Sequence, residues 1–285
     1  MGRLFISTLC IIGALGLSAC DALKKPDVDK EVDGMNVIDA TNLNDIMLTV
    51  ADPNEAVEYF KRALQKEPER VDFRRGLAKS LVRAKRASEA VLIYDKLVSS
   101  GDATADDRVN YADALIRTNE WGRAEAQLDK VPPTHETYQR YRLEAMIADS
   151  NREWKKADSF YETAAGLTTQ PAGVLNNWGY SKLTRGDYDA AEKLFLEAIT
   201  YDKDLFTAKN NLVLARAAQR KYTLPVIQLT QIERAELLHT MAISAVKQGD
   251  IDIARGLLSD AIDTHPQHFD AAVRALDALD KSRQS

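Results

Sequence analysis

The chain of 285 residues sets 38 Lys and Arg against 43 Asp and Glu, a formal net charge of −5, with 45% hydrophobic residues and only 8 prolines. This mildly acidic balance gives no electrostatic reason to seek nucleic acid or anionic headgroups, and the apolar content is that of an ordinary globular chain. Alanine and leucine recur while β-branched alternation is nearly absent, so the composition predicts helices.

Residues 1–19 read as a signal peptide. Arg3 supplies a positive start, and Leu4 to Leu17 is apolar apart from Ser7, Thr8 and two glycines. The stretch is too short for a membrane-spanning helix, which needs about 20 apolar residues. It closes on Leu17-Ser18-Ala19-Cys20, which resembles the lipobox of bacterial lipoproteins. That resemblance implies cleavage before Cys20 and acylation of its thiol and new amino group. The alternative is an ordinary exported protein with an incidental cysteine. Cys10 would leave with the signal and Cys20 would carry lipid, so no thiol remains for a disulfide or a metal. Residues 20–36, the lipidated cysteine and a charged stretch with Pro26 and Gly34, read as a tether.

From residue 37 onward the chain repeats itself. Ala56, Ala90, Ala124, Ala157 and Ala191 follow one another at steps of 34, 34, 33 and 34 residues. Four positions after each sits Phe60, Tyr94, Leu128, Tyr161 or Phe195, and twelve before each sits Asn44, Ala78, Ala112, Ala145 or Gly179. These offsets describe pairs of helices whose backbones approach through small residues while a large side chain fills the next layer. The clearest unit is 172–205, with Gly186 placed to end the first helix at positive φ. Trp121, Trp154 and Tyr188 share one position of their units and are expected in the core of the pair.

The sixth unit departs from the pattern around 222–232. Pro225 stands where the close-packing alanine belongs, so its second helix is expected to be shortened or replaced by an extended segment. That segment either packs as a tight linker or serves as a hinge. The pattern resumes at 235, and 269–281 is expected to form a capping helix with Ala272, Leu276 and Leu279 inward.

No catalytic constellation is visible. Gly-rich phosphate loops and nucleophile elbows are missing, and carboxylates scatter over helix faces. His265 and His268 lie in a loop with no cysteine ligand to join them, which is poor metal evidence. Neither cofactor nor small-molecule substrate is expected.

Period and pattern over 37–268 resemble the tetratricopeptide repeat (TPR). The fold expected is all-α: a superhelical solenoid of about seven helix-pair units over 37–285 with a C-terminal capping helix. In peptide-binding TPR proteins the first helix of each unit faces the concave side. Carried over, that nominates Arg75, Lys79, Val109 and Asp113 early in the chain, then Arg142, Met146, Asn176, Tyr180, Asn210, Leu214, His239 and Ile243. Asn176 and Asn210 lie one period apart, and an amide that donates and accepts can pair with an extended peptide backbone. Their neighbours Asn177 and Asn211 are expected to bridge helices.

Lipobox, charged tether and repeat array together resemble TadD, the lipoprotein family of Flp (tight adherence) pilus assembly. Leu175-Asn176-Asn177-Trp178-Gly179-Tyr180 and Arg234-Ala235-Glu236-Leu237-Leu238-His239 carry that likeness. It implies a pilotin-like factor on the periplasmic face of the envelope, binding the bilayer through Cys20 and protein partners such as a secretin. The outer membrane is expected. Asp21, which resembles an inner-membrane retention signal, keeps the inner membrane open. Two other readings stand beside it: an outer-membrane-protein assembly lipoprotein, and an accessory lipoprotein of a cell-wall enzyme complex.

Overall fold

The computed structural model describes residues 37–284, with side chains described from 43 to 281. The signal peptide, Cys20, Asp21 and the tether lie outside the described residues. Fourteen α-helices make up the described chain. Helix pairs α1 (Val37–Thr49) and α2 (Pro53–Lys66), α3 (Val71–Arg83) and α4 (Ala87–Ser99), and α5 (Ala105–Arg117) and α6 (Trp121–Leu128) come first. Then come α7 (Tyr138–Ser150) with α8 (Trp154–Gly166), and α9 (Ala172–Thr184) with α10 (Tyr188–Tyr201). Helix α11 (Phe206–Ala218) is not followed by a second helix of its own unit. A last pair, α12 (Gln231–Lys247) and α13 (Ile251–Thr264), precedes the final helix α14 (Asp270–Gln284), which runs beyond the expected 281. Among the described residues no helix is long and apolar enough to cross a membrane.

The pairing follows from the period. Ala56, Ala90, Ala124, Ala157, Ala191 and Ala254 are fully buried, and so nearly are Phe60, Tyr94, Leu128, Tyr161 and Phe195. Gly179 lets α9 and α10 meet: a Cβ there would stand 2.7 Å from the Phe195 ring. First helices touch one another across units, whereas second helices scarcely do, so the stack curves with the first helices on its inner side.

One turn recurs at the ends of first helices. Lys85, Asn119, Arg152, Gly186, Arg220 and Gly249 all adopt positive φ, between 59° and 83°. After each, an amide reaches back to a helix carbonyl, as Glu153 N does to Ala148 O at 2.8 Å and Asp187 N to Lys182 O at 2.9 Å. This is the Schellman closure, which satisfies the last carbonyls of a helix. Only two of the six positions use glycine.

Between α11 and α12, residues 219–230 carry no helix. Proline at 225 cannot sit in a helix interior, and an irregular strap with bends at 223, 226 and 227 replaces the second helix of the sixth unit. The strap is packed. Tyr222, Leu224 and Leu229 lie against the α12–α14 core, and Ile227 lies against the α9–α11 core. Tyr222 donates from its hydroxyl to Asp250 at 2.6 Å, and of the strap's apolar residues only Val226 stands fully exposed. Lys209, 2% exposed, crosses from α11 to Glu233 at 2.6 Å, and Glu233 closes a capping box with Thr230 at the start of α12.

Candidate binding groove

The inner face is built from the first helices, which are linked by side-chain hydrogen bonds as well as by packing. Asn211 Nδ2 donates to Asn176 Oδ1 at 3.0 Å, Thr240 Oγ1 to Asn210 Oδ1 at 2.9 Å, and Asn177 Nδ2 to the Met146 sulfur at 3.6 Å. Asn177 and Asn211 therefore bridge helices. Asn176 and Asn210 do not stack on each other, since each is joined instead to the following unit. Their carbonyl oxygens are occupied, while the Asn176 Nδ2 has no partner among the described residues and lines a cleft.

The remaining nominated residues divide. Tyr180 is 54% exposed and Leu214 is half-buried, so both present surface. Arg142 spends its guanidinium on Asp113 at 3.1 Å, a bond between α7 and α5. Arg75 is held likewise by Asp107 at 2.8 Å. His239 lies with its ring 5.4 Å from Phe269, and burial pushes its pKa below the ordinary value. Val109 is buried between neighbouring helices and offers nothing to a groove. His265 stacks on Phe269, with its Nδ1 2.8 Å from the Gln267 carbonyl. Among the described residues no three His, Cys, Asp or Glu side chains gather as metal ligands.

A cleft of about 470 Å³ opens across α7, α9 and α11. Its walls include Asn176 and Tyr180 from α9 and Asp149 from α7, together with Trp121 and Trp154 from the starts of α6 and α8. Position in the repeat put both tryptophans in the core. Instead Trp121 is half-buried and Trp154 is 36% exposed, because the first turn of a second helix rises to the rim of the inner face. Tyr188, at the same position, is half-buried.

Asp149 also lines this cleft. It accepts from Ser181 Oγ at 2.7 Å and from Tyr161 OH at 2.9 Å, joining α7, α8 and α9. Desolvation pushes its carboxyl above the ordinary range, although both hydroxyls and the nearby Arg185 act the other way. The sequence offered one signal for this cluster: Asp149 and Ser181 lie near the end of successive first helices, 32 residues apart.

A curved stack of helix pairs with an open inner face is a scaffold for binding protein, and comparison gives its family. Models described as tetratricopeptide repeat match residues 48–107, 176–224 and 239–283, together just over half of the chain. The chain belongs to the tetratricopeptide-repeat family. The mouse tetratricopeptide repeat protein 21B is 28% identical over 125 residues, 41% of this chain and 10% of that protein. The chain thus matches about a tenth of its curated relative's length. Among solved structures, the APC/C hetero-tetramer Cut9–Hcn1 superimposes with a TM-score of 0.62 at 14% identity, covering 87% of this chain and 50% of that one. A tetratricopeptide repeat protein from Parabacteroides merdae gives 0.53 at 14% identity, covering 80% and 92%. These likenesses show the fold.

Proposed function

We propose that this protein is a membrane-anchored scaffold of the pilotin kind, acylated at Cys20. It would hold a protein component of an Flp (tight adherence) pilus or type II-like secretion machine, foremost the secretin, on its inner face. The observation that carries the binding half is the cleft across α7, α9 and α11, with aromatic Tyr180 and Trp154 exposed beside the free amide of Asn176. The anchor rests on Leu17-Ser18-Ala19-Cys20 and the charged stretch after it. More than one acyl chain would make attachment stable, since each buried methylene contributes about 0.8 kcal/mol. The assignment to pilus assembly rests on the segments 175–180 and 234–239 and their resemblance to TadD. We place the protein on the periplasmic side of the outer membrane, treating Asp21 as part of the tether.

The test is affinity capture with the lipidated chain from envelope membranes, beside Cys20→Ser and the groove variant Tyr180→Ala/Leu214→Ser. Recovery of the secretin by the native chain and its loss with the groove variant support the reading. Cys20→Ser should accumulate uncleaved precursor without acyl label. Capture of a β-barrel assembly component or a cell-wall hydrolase in place of the secretin would overturn the pilus assignment. Density fractionation decides the membrane, and Asp21→Ser should leave the distribution unchanged.

A further inference from the structure

Asp149 differs from most buried or half-buried carboxylates of the described solenoid, which are paired with a cationic side chain. Glu125 and Glu236 also lack an ion pair among the described residues, but neither lines the cleft. Asp107 is held by Arg75, Asp113 by Arg117 and Arg142, Asp158 by Lys182 and Arg185, Glu192 by Arg216, and Glu233 by Lys209. Among the described residues Asp149 has no ion pair; two neutral hydroxyls hold it. Its desolvation is therefore uncompensated by a bonded cation, and of the described residues it is the one charged side chain lining the cleft. Trp121, Trp154 and Tyr180 line the same cleft. Aromatic faces attract cations and give nothing to anions. The Trp154 indole already has the Arg185 guanidinium 5.6 Å from its centre, but that arginine is bonded to Asp158 and leaves Asp149 unpaired. The Asn176 Nδ2 adds a donor without a described partner on the same wall.

We propose that the cleft between α7, α9 and α11 receives a lysine or arginine side chain carried on an extended segment of the protein partner. The cationic head sits against Asp149 among Trp121, Trp154 and Tyr180, and Asn176 Nδ2 donates to a flanking peptide carbonyl. An anionic residue is excluded by the lone carboxylate. A purely apolar one would bury that carboxylate without a counter-charge. The proposal rests on the inner-face binding reading above and adds the chemistry of the residue recognised.

The experiment uses the full chain and capped peptides Ser-Gly-Xaa-Gly-Ser, with Xaa lysine, arginine, norleucine or glutamate, plus free choline. Binding is followed by calorimetry and by tryptophan emission, to which Trp121 and Trp154 in the cleft contribute beside Trp178. Lysine and arginine peptides should bind about tenfold more tightly than norleucine, as a desolvated cation–π contact supplies. Glutamate should not bind. Asp149→Asn should bring the lysine-to-norleucine ratio to about one, and Trp154→Leu should weaken both basic peptides about tenfold. Trp154→Leu and Tyr180→Ala change exposed positions, so they keep the test open if Asp149→Asn fails to fold. Equal binding of norleucine, preference for glutamate, choline binding as tightly as the lysine peptide, or no binding by any peptide would each overturn the proposal. If the secretin is captured while charge selectivity is absent, the inner-face reading stands and this one falls. If the peptides show the selectivity but no envelope protein is captured, the cleft chemistry stands and the assignment to envelope assembly falls.

Discussion

Gly179→Ala probes a close helix contact inside one repeat unit. Alanine in a helix interior is favoured over glycine by about 1 kcal/mol, so helix propensity alone predicts stabilisation. The geometry predicts the reverse. The new methyl would stand 2.7, 2.8 and 3.0 Å from three atoms of the Phe195 ring, and that ring is fully buried. To restore van der Waals contact the ring must retreat by most of an ångström, and overpacking of that kind costs about 1–3 kcal/mol. The net expectation is a loss of about 1 kcal/mol, or about 2–4 °C in the thermal midpoint for a domain of this size. Phe195→Ala removes all three colliding ring atoms, so adding Gly179→Ala to that variant should gain about 1 kcal/mol. A cycle of the four proteins, followed by urea unfolding and far-ultraviolet circular dichroism, gives the coupling energy directly. A coupling near zero, or stabilisation by Gly179→Ala in the native background, would refute the close-approach reasoning.

Arg152→Gly replaces an exposed arginine at φ 61° in a turn whose equivalents at 186 and 249 are glycine. Relief of left-handed strain should outweigh the entropy of the unfolded chain and raise stability by about 0.5–1 kcal/mol, measured by urea titration. Lys209→Met leaves Glu233 without its cation and should cost about 3 kcal/mol, whereas Lys209→Met/Glu233→Gln should cost much less. The pKa of His239 is depressed by burial, so the unfolded chain binds its proton first as pH falls. Stability from this group is complete above the ordinary histidine value and declines as pH drops towards the folded one. Between pH 7.5 and 5 the native chain should therefore lose more thermal midpoint than His239→Gln.

The helix pairs were legible because their contacts obey a single spacing. Small residues 34 apart with a bulky one four further on describe a pair without knowledge of its neighbours. Pro225 was equally legible, since its ring forbids a helix interior wherever it falls. The inner face was less so. Whether Val109 is covered, whether Asn176 meets Asn210 or Asn211, and whether Trp154 reaches the surface all depend on how far each unit is rotated from the last. That rotation is set by contacts between first helices, which no within-pair period encodes. The Asp149–Tyr161–Ser181 cluster draws on two successive units, so the 32-residue spacing of Asp149 and Ser181 marks equivalent helix ends without showing that they meet.

The strap at 219–230 also has a mechanical meaning. An array whose members touch only their neighbours carries load in series, one interface after another. Complete helix pairs fill the path from α1 to the cleft, so tension between the N-terminal end and a cargo seated there never crosses the strap. The block α12–α14 lies outside that path, joined by the α11–α12 face, the Lys209–Glu233 pair and a few apolar anchors on an irregular segment. It can loosen or reseat without slackening the grip upstream.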